Sequence, residues 1–315
     1  PVFDPSSPEE AYKMIGEAFE YSEKYNTPVL FRPTTRVCHA YASIDNCDSP
    51  SPKKYEGFVK DSKKWVIFPR LSFANHIMIE KRNVEIGKDF STYSANKAEG
   101  VNSEKAVVTS GISYAYTKEC LKDYPDVKLI KIATAYPFPE DFVLSSLEGA
   151  KEVLCIEELS PFIEEQILKL TGKHGLQLKV SGKLDGKVQA GGENSTDKIA
   201  AILGDFLGKD FTADGYDLSD APALPVRPPV LCAGCPHRAS FYAVKQAMKG
   251  RKAYFCGDIG CYTLGNAMPL DMVDTCLCMG AGITMAQGFN HTDSDGVCFG
   301  FVGDSTFFAS GITGV

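Results

Sequence analysis

Apolar and polar positions along this chain follow two rhythms, one helical and one of short buried strands. Ser7-Pro8-Glu9-Glu10 opens a helix. Ser7 can cap it, Pro8 suits its first turn, and the two acids face the positive end of its dipole. Ala11, Ile15, Ala18, Phe19 and Ser22 recur at helical spacing and predict its inward face. Asn26-Thr27-Pro28 ends the helix, and Val29-Leu30-Phe31 reads as a buried strand. Residues 49–103 are less regular and read as a connecting segment. Within it lie an exposed linker at Ser49–Lys54, a short apolar run at Trp65–Pro69 and one charged helix at Ile77–Gly87. From 104 to 210, strand and helix patterns alternate. Strands are predicted at Lys105–Thr109, Val127–Ile132 and Glu152–Ile156. Helices are predicted from Ser110 to about Asp123, over Pro139–Leu147, after a Ser160-Pro161 cap, and over Ser195–Leu207. Such an alternation predicts a parallel sheet covered on both faces. Between Ala213 and Pro229, four prolines (Pro222, Pro225, Pro228 and Pro229) make a stiff link and a domain boundary.

The fold class is therefore α/β, with several doubly wound parallel-sheet domains. The 315 residues suffice for about two domains. A 44% apolar and 23% charged composition excludes a disordered acidic chain. With 33 basic and 40 acidic residues the net charge is −7, which argues against a nucleic-acid partner. No run reaches the ~18 apolar residues of a transmembrane helix, so no membrane association is expected. Eleven cysteines, several inside apolar runs, fit buried thiols in a reducing cytoplasm better than a disulfide framework. The chain opens at Pro1 and closes at Val315 where a helix pattern is starting, so the sequence reads as a fragment.

Past residue 229 four glycine-containing turns follow one another. They are Cys232-Ala233-Gly234-Cys235-Pro236-His237, Gly257-Asp258-Ile259-Gly260-Cys261, Met279-Gly280-Ala281-Gly282 and Gly303-Asp304-Ser305. The last three are read as following strands at Ala253–Phe255, Val273–Cys278 and Val297–Val302. Unpaired amides at a helix start bind phosphate, and glycine lets the backbone come close. Ligands of parallel sheets sit at the carboxyl ends of strands, so this series predicts a diphosphate site. Asp304, at such an end, can hold Mg²⁺ together with phosphate oxygens, or it can simply cap the next helix.

These motifs resemble the diphosphate-binding domain of thiamine-diphosphate-dependent 2-oxoacid:ferredoxin oxidoreductases. Cys232–Arg238, Gly257–Gly265 and Gly303–Phe308 are most similar to the indolepyruvate ferredoxin oxidoreductase alpha-subunit family. Pro28–His39 resembles the end of that family's pyrimidine-binding domain, and Val108–Tyr114 its transketolase-C-terminal-like domain. The resemblance implies a pyrimidine-domain portion over 1–48 and a transketolase-C-terminal-like domain over 104–210. It implies a Pro-rich linker over 211–228 and the first part of the diphosphate-binding domain over 229–315. It makes Asp304, between Gly303 and Ser305, the Mg²⁺ ligand. Gly257, Asp258, Ile259, Gly260, Cys261, Gly280 and Gly282 become walls of the cofactor pocket. Cys232, Gly234, Cys235 and His237 become a loop lining its cleft. The activating glutamate is expected upstream of Pro1, and a second Mg²⁺ ligand beyond Val315. The 4Fe-4S clusters are expected in the full-length protein but not on this segment. The implied activity is oxidative decarboxylation of aryl pyruvates to aryl-acetyl-CoA. Ferredoxin takes the electrons, and a smaller beta subunit is the partner.

Other readings of the same residues stay open. A pyruvate or 2-oxoglutarate type of the same enzyme class is an alternative, although the Cys232-x-x-Cys235-Pro236-His237-Arg238 loop favours the indolepyruvate type. Cys232-x-x-Cys235 with Cys256, Cys261, Cys276 and Cys278 could instead make a non-catalytic zinc or cluster module, though the ferredoxin cysteine run is absent. Arg32 and Arg36 could hold a substrate carboxylate or pair with local acids. His39 is either near substrate or structural. The aromatic residues around 299–308 read as core.

Overall fold

The computed structural model describes residues 1–45, 57–211, 219–293 and 295–315. The predicted linker at Ser49–Lys54 and most of the stretch just after Ala213 lie outside the described residues. The chain divides into two compact units, Pro1–Tyr216 and Asp217–Val315.

The first unit opens with β1 (Val2–Phe3), α1 (Pro8–Tyr25), β2 (Leu30–Phe31) and α2 (Thr35–His39). A short α3 (Ser62–Trp65) and the long α4 (Pro69–Ser91) follow. Next come β3 (Lys97–Glu99), β4 (Lys105–Ser110), α5 (Gly111–Cys120), β5 (Lys128–Ile132) and α6 (Glu140–Ser146). β6 (Glu152–Ile156), α7 (Phe162–His174), β7 (Lys179–Ser181) and α8 (Thr196–Leu207) complete it. The sheet order is β3-β5-β4-β6-β7. All neighbours are parallel except β3, which runs antiparallel to β5. From β4 the chain adds β5 on one side and β6 and β7 on the other, which is a doubly wound α/β sheet.

Successive strand residues point to opposite faces, and both faces here are apolar. Ala106 and Val108 of β4 join Ile163 and Ile167 of α7 in one core. Val107 joins Tyr114 of α5 and Ile199 and Leu203 of α8 in the other. Each such buried aliphatic side chain contributes about 1.5–3 kcal/mol. A third core unites Phe3, Met14 and Ala18 with Ile86 and Phe90 of α4 and Ala133 beside the sheet.

Several elements differ from the sequence reading. α1 has its Ser7 cap, which accepts from the Glu10 N–H at 3.2 Å. The face it buries carries Met14 and Ala18, while Ile15 and Phe19 stand exposed. The rotation arises because Phe3 and Phe90 pack on the Met14 side. The predicted buried strand at Val29–Phe31 shrinks to a two-residue pair with β1, and Leu30 is exposed. The charged helix at Ile77–Gly87 extends to Pro69–Ser91, absorbing the end of the apolar run. α7 is not capped by Ser160. The buried Glu157 carboxylate instead accepts from the N–H groups of Ile163, at 2.9 Å, and Glu164, at 3.0 Å.

The second unit holds α9 (Pro236–Ala247), β8 (Ala253–Cys256), α10 (Ala281–Thr292), β9 (Val297–Gly300) and a short α11 (Asp304–Thr306). β8 and β9 pair in parallel. The predicted strand Val273–Cys278 forms only a single bridge, from Thr275 to Cys256.

Candidate cofactor site

β8 ends at Cys256, and the next two residues make the centre of the site. Asp258 has 0% of its surface exposed. Its Oδ1 accepts from the Gly280 N–H at 2.8 Å and its Oδ2 from the Gly303 N–H at 3.0 Å. One carboxylate thus ties the second, third and fourth glycine turns together. Burial pushes this carboxyl up. The Gly303 and Gly280 amides, with the Thr306 hydroxyl and the Ile259 amide, outweigh that and hold it below the usual carboxylate range. Asp258 lies beneath the turns as their internal staple, not on their open face.

The glycines make the approach possible. A Cβ on Gly282 would sit 2.7 Å from the Gly257 carbonyl oxygen and 3.0 Å from that of Phe301. The start of α10 therefore rests directly on the ends of both strands. Gly280 has φ +89°, and a Cβ there would stand 2.7 Å from Ser310 Oγ. No other residue type fits either constraint without strain.

The first turn reaches the others through aromatic rings. Gly234 has φ +71°, and the Cys235 N–H donates to the Cys232 carbonyl at 3.2 Å, closing the turn. Arg238 Nε donates to the same carbonyl at 2.9 Å. Cys235 Sγ lies 3.2 Å from His237 Nδ1. The His237 ring meets Tyr262 edge-on at 4.7 Å, and Tyr262 stacks on Phe301 at 5.7 Å. Phe301 and Phe241 belong to this unit's core, whereas Phe308 is exposed.

Cys232, Gly234, Ile259, Gly260, Cys261, Asp304 and Ser305 remain on the exposed side of these turns. Asp304 does not cap a helix: Gly303 holds that position in α11, with no side-chain cap bond. Its carboxylate is exposed and open to a ligand. Among the described residues no three His, Cys, Asp or Glu side chains gather into a metal-holding group, and the ten described cysteines are free. In the first unit Arg32 and Arg36 face local acids. Arg36 meets Glu193 at 2.8 Å, and Arg32 meets the buried Asp4 at 3.7 Å. His39 is exposed. Sequence reasoning missed the roles of Thr306 and Arg238. A hydroxyl two residues after Asp304 and a basic residue after the Pro-His pair were the available signals.

No family model matches the chain. Over 99% of its length it is 36% identical to the indolepyruvate oxidoreductase subunit IorA of Methanothermobacter thermautotrophicus. Identity is 34% to that of Thermococcus kodakarensis and 32% to that of Archaeoglobus fulgidus, again over 99% of the chain. The chain is similar to these IorA subunits over nearly its whole length. It spans about half the length of these curated relatives, covering 51% of the first. Two solved structures superpose loosely on parts of this chain. A split-gene transketolase covers 66% of it at TM-score 0.38, with 56% of its own chain matched and 12% identity. A 2-oxoglutarate:ferredoxin oxidoreductase from Magnetococcus marinus covers 65% at TM-score 0.42, with 41% of its own chain matched and 13% identity. At these scores no feature transfers from either. No helix among the described residues is long and apolar enough to cross a membrane.

Proposed function

We propose that this chain forms part of an indolepyruvate ferredoxin oxidoreductase alpha subunit. In that enzyme it would serve the thiamine-diphosphate-dependent oxidative decarboxylation of aryl pyruvates to aryl-acetyl-CoA. The observation that carries the reading is the Asp258 staple, which gathers three glycine turns beside the open Asp304. The similarity to IorA proteins over nearly the whole chain supports the substrate class.

The residues fit the cofactor. Exposed glycine backbone at Gly260 and a close-packed Gly280 let a diphosphate approach, and a lone hard carboxylate suits Mg²⁺ with phosphate oxygens beside it. Asp304 would hold that Mg²⁺, flanked by Gly303 and Ser305. Gly257, Ile259, Gly260, Cys261, Gly280 and Gly282 would wall the pocket. Cys232, Gly234, Cys235 and His237 would line its mouth. Bound there, thiamine diphosphate would supply the nucleophilic carbon and the electron sink for a 2-oxo acid. The chain's own part is to keep the turn tips together and to orient the diphosphate.

In this reading, residues 1–48 close a pyrimidine-binding domain and 229–315 open the diphosphate-binding domain. The rest of the subunit carries the 4Fe-4S clusters. A smaller beta subunit, ferredoxin and CoA are the partners, in the cytoplasm and within amino-acid catabolism. Calorimetry on the assembled enzyme tests the assignment. Asp304→Ala should weaken Mg²⁺-dependent thiamine diphosphate binding tenfold or more, about 1.4 kcal/mol. Unchanged affinity defeats the Mg²⁺ role, and turnover of pyruvate but not indolepyruvate defeats the aryl substrate.

A further inference from the structure

The first unit holds a cleft of about 450 Å³ bounded by the first half of α1, the strands β3 and β5, and α5. The side chain of Lys131, only 2% exposed, lies at its floor. A lysine buried to that degree needs a partner, and Lys131 donates to Glu10 Oε1. The Tyr114 ring covers another side of the amine, its centroid 4.7 Å from Nζ. An ammonium carries three N–H donors, and among the described residues Glu10 is the acceptor for one. The cleft floor therefore keeps donor capacity that the fold does not use.

A second lysine stands beside the first. β3 and β5 pair antiparallel with Lys97 directly opposite Lys131. Directly opposed residues share a face of the sheet, and like charges there repel. Burial lowers the Lys131 amine, Glu10 pulls it back up, and Lys97 adds to the lowering. The ion pairs at the cleft belong to the other lysines. Lys118 meets Glu99 at 2.8 Å, Lys131 meets Glu10, and Lys13 stands 3.7 Å from Glu17. The acids have little left to give. Glu10 Oε2 accepts from the Ser6 N–H at 2.7 Å and from its hydroxyl at 2.8 Å, and Glu17 accepts from the Tyr93 hydroxyl. An anion set between Lys97 and Lys131 would use the spare donors and cancel the repulsion.

The lining sets the chemistry of the occupant. Four lysines face three glutamates, Glu9 being the third, so one positive charge is in excess and a single negative charge balances it. The two oxygens of one carboxylate can each accept from one of the two opposed lysines. Tyr93 and Tyr114 add ring surface to the same cleft. Its volume falls among those of small-molecule sites, about 300–1,000 Å³. We propose that this cleft binds a small aromatic monocarboxylate, with the carboxylate between Lys97 and Lys131 and the ring against Tyr93 and Tyr114. No residue of the glycine turns takes part.

Calorimetric titration of the full chain with phenylacetate tests this. One equivalent should bind without thiamine diphosphate, and equally in Asp304→Ala, so the outcome does not depend on the cofactor assignment. Lys97→Met changes an exposed position, and circular dichroism checks that it still folds. Its affinity for phenylacetate should fall about tenfold or more, whereas Lys97→Arg should stay within about threefold of the unaltered chain. If Lys97→Met does not fold, protection of the unaltered chain decides. Phenylacetate should then slow reductive methylation of Lys97 at least about threefold by mass spectrometry. No saturable binding at about 10 mM overturns the proposal. Affinity indifferent to Lys97→Met, or a Lys97 left unprotected, overturns it too. Acetate or inorganic phosphate binding as tightly as phenylacetate overturns the aromatic occupant in favour of a bare anion.

Discussion

At the residue scale two buried aspartates behave in opposite ways. Asp258 is charged and fully satisfied by amides, so its carboxyl is held low. Its stabilising contribution is present above the ordinary carboxylate pKa, ~3.9, and is lost as pH falls through the lower folded value. Asp258→Asn replaces one acceptor oxygen by a donor that faces a backbone N–H. Urea titrations should show it about 2–3 kcal/mol less stable at pH 7 and with a shallower acid limb. Asp4 is the reverse case. Neither of its oxygens has a hydrogen-bond partner among the described residues, and Arg32 stands 3.7 Å away. Burial pushes its carboxyl up to about 6 against the pull of Arg32. The folded state favours the protonated form, so Asp4's own contribution to stability falls as pH rises from ~4 to about 6. Asp4→Asn should remove that slope and add about 2–3 kcal/mol at pH 7. A stability profile unchanged across that range would contradict the assignment.

At the element scale, helix starts and strand ends carry most of the consequences. The Glu157 carboxylate serves the first turn of α7, a task usually left to a cap residue. Glu157→Ala should cost about 1–2 kcal/mol in thermal or urea unfolding, and Ser160→Ala close to nothing. Gly282→Ala should destabilise the second unit by about 1–3 kcal/mol, because its Cβ has no room beneath the Gly257 carbonyl. The same substitution should loosen the turns that Asp258 draws together. The elements themselves were largely legible. Strands β4 and β6 read from short apolar runs because both faces of a parallel sheet are covered, whereas β5 carries two buried lysines, Lys128 and Lys131, among its apolar residues. The orientation of α1 was not legible, since Ala11, Ile15, Ala18 and Phe19 fit one stripe as well as Met14 and Ala18 fit another. Only the neighbours Phe3 and Phe90 choose between them.

For the whole molecule, charge distribution matters more than total charge. The net −7 hides a basic stretch at Lys60, Lys63, Lys64 and Arg70 and the exposed acids Glu9, Glu20 and Glu23 of α1 in the same unit.

The chain by itself determined the α/β rhythm, the helix starts at Ser7 and Ser195, and the four glycine turns. These depend on local backbone preference and on periodic burial, which neighbouring residues encode. Tertiary structure alone decided that Asp258 faces inward as a staple while Asp304 stays open. Two aspartates in near-identical Gly-Asp contexts look the same along the chain. Their roles separate only when amides from residues 22 and 45 positions away converge on one carboxylate and not on the other.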